Sequence, residues 1–492
     1  MLVRDVRLLG ASSPVDLLLR DGLIAAIGPD LPREGEVVLE AGGALAIPGL
    51  WDHHVHAGQT AQGYARLDTS AAGSAEEVVQ LAREALAARE PHDRSALVGF
   101  GHRLVDLTGE PTVAALDAVG GDDGSGVPIV LIGGDAHHAW MSSAALRGLG
   151  LPPRTGIVAE DEWFDAVPHL DDLPGVAAGL AAGILRLQED ALAYGLVGLT
   201  DMEWAENWRL WQGRGARMRV RAATYASGLD TVPGPTGTPL TADGLVTMGP
   251  LKVIADGSLG SRSAYCRHPG GPVGVLSDYA HELPALLGRA ATLGLEPAVH
   301  AIGDAAVGVV LDAFAEAGVA GRIEHAQLLA DEDVARMAAL GVRASVQPAH
   351  LLDDRDPTEE FLPGAARLAY RFRDLADAGV ELLLGSDSPV APVDPWLAMA
   401  AAVHRSADHR PGWFPDQQLQ PREALAASTD GIRSLAVGGP ADLVLLEEDP
   451  FGDVPLGADG LLVDAAAREA AARLRAVRPL ATLVAGGLAF SS

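Results

Sequence analysis

The 492-residue sequence contains one cysteine, Cys266. No internal disulfide can form, which suits a reducing compartment. Aromatic residues make up only 4% of the chain against 48% hydrophobic residues overall, so the core must be built from Ala, Val, Leu and Ile. That is ordinary for a globular enzyme, and disorder is not the default expectation. Basic residues are also scarce, 36 against 66 acidic ones, for a net charge of -30. Such a surface repels polyanions and excludes nucleic acid and anionic membranes as expected partners, while keeping the protein soluble. Long hydrophobic runs are missing as well. The most apolar stretch, Val176 to Leu185, holds Gly179 and Gly183 and is stopped by Arg186. It falls short of a membrane span. The start, Met1-Leu2-Val3-Arg4-Asp5, is broken by charge and lacks the apolar segment of a secretory signal. A cytoplasmic location is the simplest expectation.

What the chain does contain is organised around Ile47-Pro48-Gly49-Leu50-Trp51-Asp52-His53-His54-Val55-His56. An apolar run carrying a Pro-Gly turn signal ends in two histidines spaced i, i+2, where a strand would end. Side chains alternate faces along a strand, so His54 and His56 point to the same side and Val55 to the other. Two imidazoles facing one point suit a divalent metal. The bland alternative is a histidine-rich turn after a core strand, so the downstream residues must decide.

From Met1 to about Ala46 the pattern is one of short strands, with Asp21-Gly22 between two apolar runs as a hairpin signal. Ala441 to Glu447 and Ala481 to Phe490 have the same texture. Chain ends often lie close together, so residues 1–48 and 434–492 are expected to form one composite β-sandwich domain. Residues 49–433 alternate short apolar runs with helical patterns, the signature of an α/β fold with βα units and a parallel sheet. Candidate strands are Ala96–Phe100, Pro128–Ile132, Gly198–Met202, Leu251–Ala255, Pro297–Ala301, Arg322–Ala326, Arg343–Gln347 and Glu381–Gly385. With the histidine strand this is one more than a (β/α)8 TIM barrel requires. One of the first two is therefore expected in an insertion within about 60–195. Ser74 and Glu77 read as the capping box of a helix over Ser74–Ala88.

Ionisable residues fall at the ends of these strands. His300 closes Leu295–His300, His325 closes Arg322–His325, and Asp387 follows an apolar strand. Lys252 sits inside the apolar Leu251–Ala255, where an unpaired ammonium is expensive to bury. Each alone has an ordinary explanation: a hydrogen-bonded core histidine, a turn cap, an edge-strand charge. Together at successive strand ends they mark the rim where barrel enzymes hold their active sites.

This order of residues resembles the amidohydrolase superfamily, whose barrel carries HxH on strand one, a lysine on strand four, histidines on strands five and six, and an aspartate on strand eight. It is most similar to the branch that includes N-substituted formamide deformylase. The matching phrases are Pro111-Thr112 with Leu116-Asp117, Asp135-Ala136-His137-His138-Ala139-Trp140, Thr155-Gly156, Asp256 through Arg262, His300 through Asp304, Glu324-His325, and Gly385 through Pro389. They span essentially the whole chain.

The resemblance implies that His54, His56 and Asp387 bind one metal and His300 and His325 a second, most simply Zn2+. Lys252, carboxylated at its amine, would bridge them and so escape the burial problem. A mononuclear site of His54, His56, His300 or His325, and Asp387 stays open. The implied reaction is attack of metal-bound hydroxide on an amide-type C–N bond of a small molecule, with Asp387 as general base and acid. His137 is assigned carbonyl or oxyanion contact, and Arg262 and Trp140 are assigned to substrate binding, with Trp204, Trp208 and Trp211 as further candidates for an aromatic pocket. Asp256 and Asp304 match family phrases, with structural roles as the alternative. The segment Gly257 to Ser261 reads as a loop gating the rim. The resemblance also favours a homodimer. Two rival functions are hydrolytic deamination at a single metal and a catalytically silent barrel that acts as a binding protein. Ala136 and Ser142 depart from the Gly and Asn usual in the family, and the passage from barrel to terminal domain, Ser428 to Pro440, is shorter than usual. Those departures bear on the substrate, not on the metal set.

Overall fold

The structure is a computed structural model that describes residues 1–492 apart from 12, 34, 91, 105–106, 121–125, 135–137, 205, 260–261, 268–272 and 363. The chain forms two compact units, one of Met1–Ala57 with Leu187–Ser492 and the other of Gly58–Arg186.

The first unit holds eight parallel strands in sequential order: Leu50–Val55, Leu196–Asp201, Arg219–Tyr225, Val246–Ile254, Pro297–Ala301, Arg322–His325, Arg343–Val346 and Leu382–Leu384. The expected barrel is therefore present and nearly closed. Its seam is joined just past the last strand, where the Asp387 N–H donates to the His54 carbonyl at 2.7 Å and the His56 N–H to the Ser388 carbonyl at 2.8 Å. Most strand residues are buried, as parallel strands covered on both faces must be.

Two strand assignments are corrected. Both Ala96–Phe100 and Pro128–Ile132 lie in the insertion rather than only one of them, and Arg219–Tyr225 takes the vacant place in the barrel. Arg219 and Arg221 interrupt the apolar pattern of that strand. Their charges are matched in the fold: Arg219 Nε stands 2.6 Å from Asp442, and Arg221 forms a two-pronged pair with Asp430 while its guanidinium lies 4.4 Å from the Trp51 ring centroid.

The fourth barrel strand carries one extra residue. Ala222 aligns with Met248, yet Thr224 aligns with Leu251 and Tyr225 with Lys252. Such a bulge shifts every later side chain to the other face. It occurs at Gly249-Pro250, and a Cβ on Gly249 would stand 2.6 Å from the Ala222 carbonyl carbon. The glycine thus permits the close approach that sets the direction of Lys252.

Strands from both chain ends share one hydrogen-bonded path, from Gly487–Ser491 through Ala481–Val484, Leu443–Leu446, Leu45–Pro48 and Leu2–Leu8 to Val15–Arg20 and Leu23–Gly28, with Val38–Glu40 paired to Leu2–Leu8. Leu2–Leu8 links two parts of this path: its first residues pair with Val15–Arg20 and Val38–Glu40, and Arg7 and Leu8 pair with Leu45 and Ala46. Val3, Leu17, Ala46, Leu443 and Leu483 pack in one core. Asp21 and Gly22 form the expected hairpin turn, with φ of 51° and 74°.

The second unit contains a five-stranded sheet in the order Val158–Ala159, His138–Met141, Ile129–Gly133, Leu97–His102, Leu67–Asp68. Ser74 caps the helix Ala75–Ala87, its hydroxyl accepting from the Glu77 N–H. None of the described helices is long and apolar enough to cross a membrane.

Candidate metal centre

The C-terminal ends of the barrel strands bring His54, His56, Lys252, His300, His325 and Asp387 to one place. His54 and His56 leave the first strand on the same side, as period-two alternation requires, with ring centroids 5.4 Å apart. His54 lies 5.1 Å from His325, and His300 lies 4.5 Å from His325. Asp387 Oδ1 stands 3.4 Å from His54 Nε2 and 3.5 Å from His56 Nε2, and Lys252 Nζ is 3.4 Å from His54 Nε2.

Those spacings suit a shared ion better than direct hydrogen bonds. Two ligand atoms each ~2.1 Å from a tetrahedral Zn2+ stand ~3.4 Å apart. The donor set of imidazoles and carboxylate is also the one zinc prefers. Among the described residues, two groups of three converge tightly enough to hold an ion: His54, His56 and Asp387, and His325, His350 and Asp387.

Buried partners fix which nitrogen each histidine presents. His54 Nδ1 lies 2.7 Å from Glu324 Oε2, so Nδ1 carries the proton and the Nε2 lone pair faces Asp387. Glu324 is itself fully buried and paired with Arg322 at 2.8 Å. A carboxylate behind a ligating histidine is the usual arrangement at zinc. His300 Nε2 lies 3.2 Å from the Gly257 carbonyl and donates to it, which leaves the lone pair on Nδ1.

Electrostatics keep these ligands ready for a cation. Burial, followed by the charge of Lys252, lowers His56 and His300 to about 3 and His54 well below its ordinary value. All three are neutral, the form that binds metal. Burial also lowers Lys252 to about 8 against the opposing pull of Glu324 and Asp387. Burial raises Asp387 to about 7, with Lys252 opposing. Lys252 is the only lysine among the 36 basic residues of the chain. A protein that otherwise uses arginine throughout keeps its one primary side-chain amine in the barrel interior, where arginine cannot lose its proton.

Two of these positions also carry backbone strain. His325 and Asp387 have φ of 73° and 56°, in the left-handed region that non-glycine residues rarely occupy. Such conformations persist where the surroundings impose them, typically at sites of function.

The remaining expected site residues are placed differently. His137 lies outside the described residues. Arg262 is exposed in the loop after the fourth strand, its backbone at φ 56°. Residues 260–261 of the expected gating loop lie outside the described residues. Trp140 is buried in a core of the Gly58–Arg186 unit, and its indole N–H donates to the Thr112 carbonyl at 2.8 Å. Trp208 and Trp211 are likewise buried, whereas Trp204 is exposed. Asp256 accepts from the backbone N–H groups of Tyr265, Ile302 and Gly303, and Asp304 from that of Arg267, which are structural roles. Burial pushes the Cys266 thiol up to about 12, so it does not supply a nucleophile.

Two residues went unassigned in the sequence. Glu324 was visible only as part of the Glu324-His325 phrase. His350 ends the short turn Pro348–His350 beyond the seventh strand, and its Nε2 is buried 4.0 Å from Asp387 Oδ2. Its offset from the strand end hid it from a search for residues that close strands.

A profile of the amidohydrolase family matches residues 37–488. The chain is 27% identical to Protein LONG AFTER FAR-RED 3 of Arabidopsis thaliana over 89% of this chain and 84% of that protein. It is 25% identical to N-substituted formamide deformylase of Arthrobacter pascens over 88% of this chain and 90% of that enzyme. Among solved structures, an uncharacterised metal-dependent hydrolase of Pyrococcus horikoshii superposes with a TM-score of 0.76 at 27% identity, over 92% of this chain and 98% of that one. With the profile covering nearly the whole chain and the histidine, lysine and aspartate set standing at the strand ends, the protein belongs to the amidohydrolase family.

Proposed function

We propose that this chain is a metal-dependent hydrolase that cleaves an amide-type C–N bond in a small molecule. The observation that carries the reading is the convergence of His54, His56 and Asp387 at ion-binding spacing beside Lys252, His300 and His325. His54, His56 and Asp387 would hold one cation and His300 and His325 a second, with Lys252, carboxylated on its amine, supplying a shared ligand. Burial lowers its ammonium and so favours the neutral amine, the form that combines with CO2. Zn2+ is the expected ion, and when bound such cations lower the pKa of water towards neutrality and polarise a carbonyl.

The protein's own residues supply the rest. Glu324 fixes the proton of His54 on Nδ1 and thereby the orientation of its ring. Burial raises the Asp387 carboxylate to about 7 in the metal-free protein, with the Lys252 charge opposing. Asp387 can take a proton from the attacking water and return it to the leaving nitrogen. His350 sets a further imidazole beside that carboxylate. His137 and Arg262 are proposed to contact the substrate. The similarity to N-substituted formamide deformylase supports N-acyl and N-formyl amines as the first compounds to try.

The test is to strip the protein with a chelator, restore Zn2+, Mn2+ or Co2+ singly, and assay a panel of N-acyl and N-formyl amines. The reading predicts activity that is lost and regained with the metal, and acid and amine released in equal amounts. Ammonia without an acid fragment would favour a deaminase. Turnover unaffected by complete metal removal would contradict the proposal.

A further inference from the structure

We infer that Trp204 and Tyr225 form a fixed aromatic shelf beside the metal centre that selects substrates bearing a flat, unsaturated ring, an inference that rests on the hydrolase reading above. Of the eight tryptophans in the sequence, seven are at most 6% exposed, whereas Trp204 is 51% exposed. A large indole left open to water is the informative exception to burial. Trp204 stands three residues past the end of the second barrel strand, on the rim that carries the metal ligands. Its ring stacks on Tyr225, centroids 4.6 Å apart and planes 20° from parallel.

Tyr225 ties the shelf to the reaction centre. It ends the third strand and aligns with Lys252 on the fourth. Its hydroxyl donates to the Met202 carbonyl at 2.7 Å, which anchors the backbone next to Trp204. Burial, and after it the carboxylates of Glu203, Asp201, Asp387 and Glu324, hold the phenol protonated and able to make that bond.

Hydrogen bonds hold the described residues on either side of Trp204. Fully buried Asp201 accepts from the Glu203 N–H at 3.1 Å and the Trp211 indole at 2.7 Å, while Asn207 donates to its carbonyl at 3.2 Å. The Trp204 N–H donates to the Glu203 side chain at 3.1 Å. A shelf that is already ordered loses little entropy when a ligand settles on it. Its open face favours another ring, because offset stacking exploits ring polarity as well as apolar area.

Matched probes test this. On the amine side N-benzylacetamide is compared with N-(cyclohexylmethyl)acetamide, and on the acyl side N-methyl-2-phenylacetamide with N-methyl-2-cyclohexylacetamide, using the zinc-loaded full chain. In one pair the aromatic member should show roughly 3- to 10-fold higher kcat/KM. Trp204→Leu should bring that ratio close to one, and Trp204→Phe should keep part of it. Binding of the corresponding amines and acids, followed by saturation-transfer NMR, gives a readout that needs no turnover. If rings are discriminated in binding and Trp204→Leu abolishes this, the shelf stands even where no amide is cleaved and the hydrolase reading fails. Cleavage or binding without ring preference in wild type, or a preference that survives in Trp204→Leu, would overturn the shelf.

Discussion

At the residue scale, the metal centre depends on side chains one step behind the ligands. His54 can present Nε2 only while its other nitrogen donates to Glu324. Glu324→Gln keeps the shape but replaces the carboxylate with an amide that can also turn its NH2 towards the ring. The expected result is a metal affinity lower by about 10- to 100-fold, measured by competition with a chromophoric chelator, with the fold retained. An unchanged affinity would remove Glu324 from the account. The sequence made the convergence of His54, His56 and Asp387 legible, because histidines and an aspartate recur together at the ends of successive apolar strands. It did not reveal Glu324 or His350. The first stands beside a ligand on the same strand and is attached to a histidine 270 residues away, and the second lies in a turn past its strand.

At the element scale, the fourth strand shows how backbone irregularity serves the site. Without its extra residue, Lys252 would face the other side of the sheet. Gly249→Ala would push a Cβ against the Ala222 and Ala223 backbone at 2.6 to 2.8 Å, where nothing flexible can yield. A loss of about 1–3 kcal/mol is expected in urea unfolding, together with fewer bound metals per chain. A variant of wild-type stability and metal content would show that the bulge does not aim Lys252. Elements were less legible than residues. Apolar periodicity located seven of the eight barrel strands, yet Arg219–Tyr225 was hidden by arginines whose partners, Asp430 and Asp442, lie more than 200 residues away. Ala96–Phe100 and Pro128–Ile132 pair in parallel like barrel strands, so local pattern could not assign them to a separate sheet.

At the scale of the whole molecule, the cost of assembling so many ionisable groups should appear in its pH dependence. In metal-free protein, burial holds His53, His56 and His300 at about 3 and His54 and His325 well below the ordinary 6.5. Below about 6.5 the unfolded chain therefore takes up protons that the folded chain refuses, and stability falls with pH. Asp52 and Asp256, raised to about 6 by burial, and Asp387, raised to about 7, act in the opposite sense. Their contribution is complete below the unfolded value near 3.8 and is lost as pH rises through 6 to 7. Five histidines outweigh three carboxylates. The melting temperature of metal-free protein should fall from pH 7 to pH 5, and a rise over that interval would contradict the assignment of these five buried histidines as neutral.

The central claim is that the barrel holds two metals bridged by a carboxylated Lys252. It is tested most directly by native mass spectrometry of the metal-replete protein together with 13C NMR in 13C-bicarbonate. Because Lys252 is the chain's only lysine, a single side-chain carbamate signal is the most the protein can give. The account predicts two metals per chain, one added CO2, and a carbamate signal that disappears in Lys252→Ala. One metal with an unmodified lysine, or no metal under replete conditions, would contradict it.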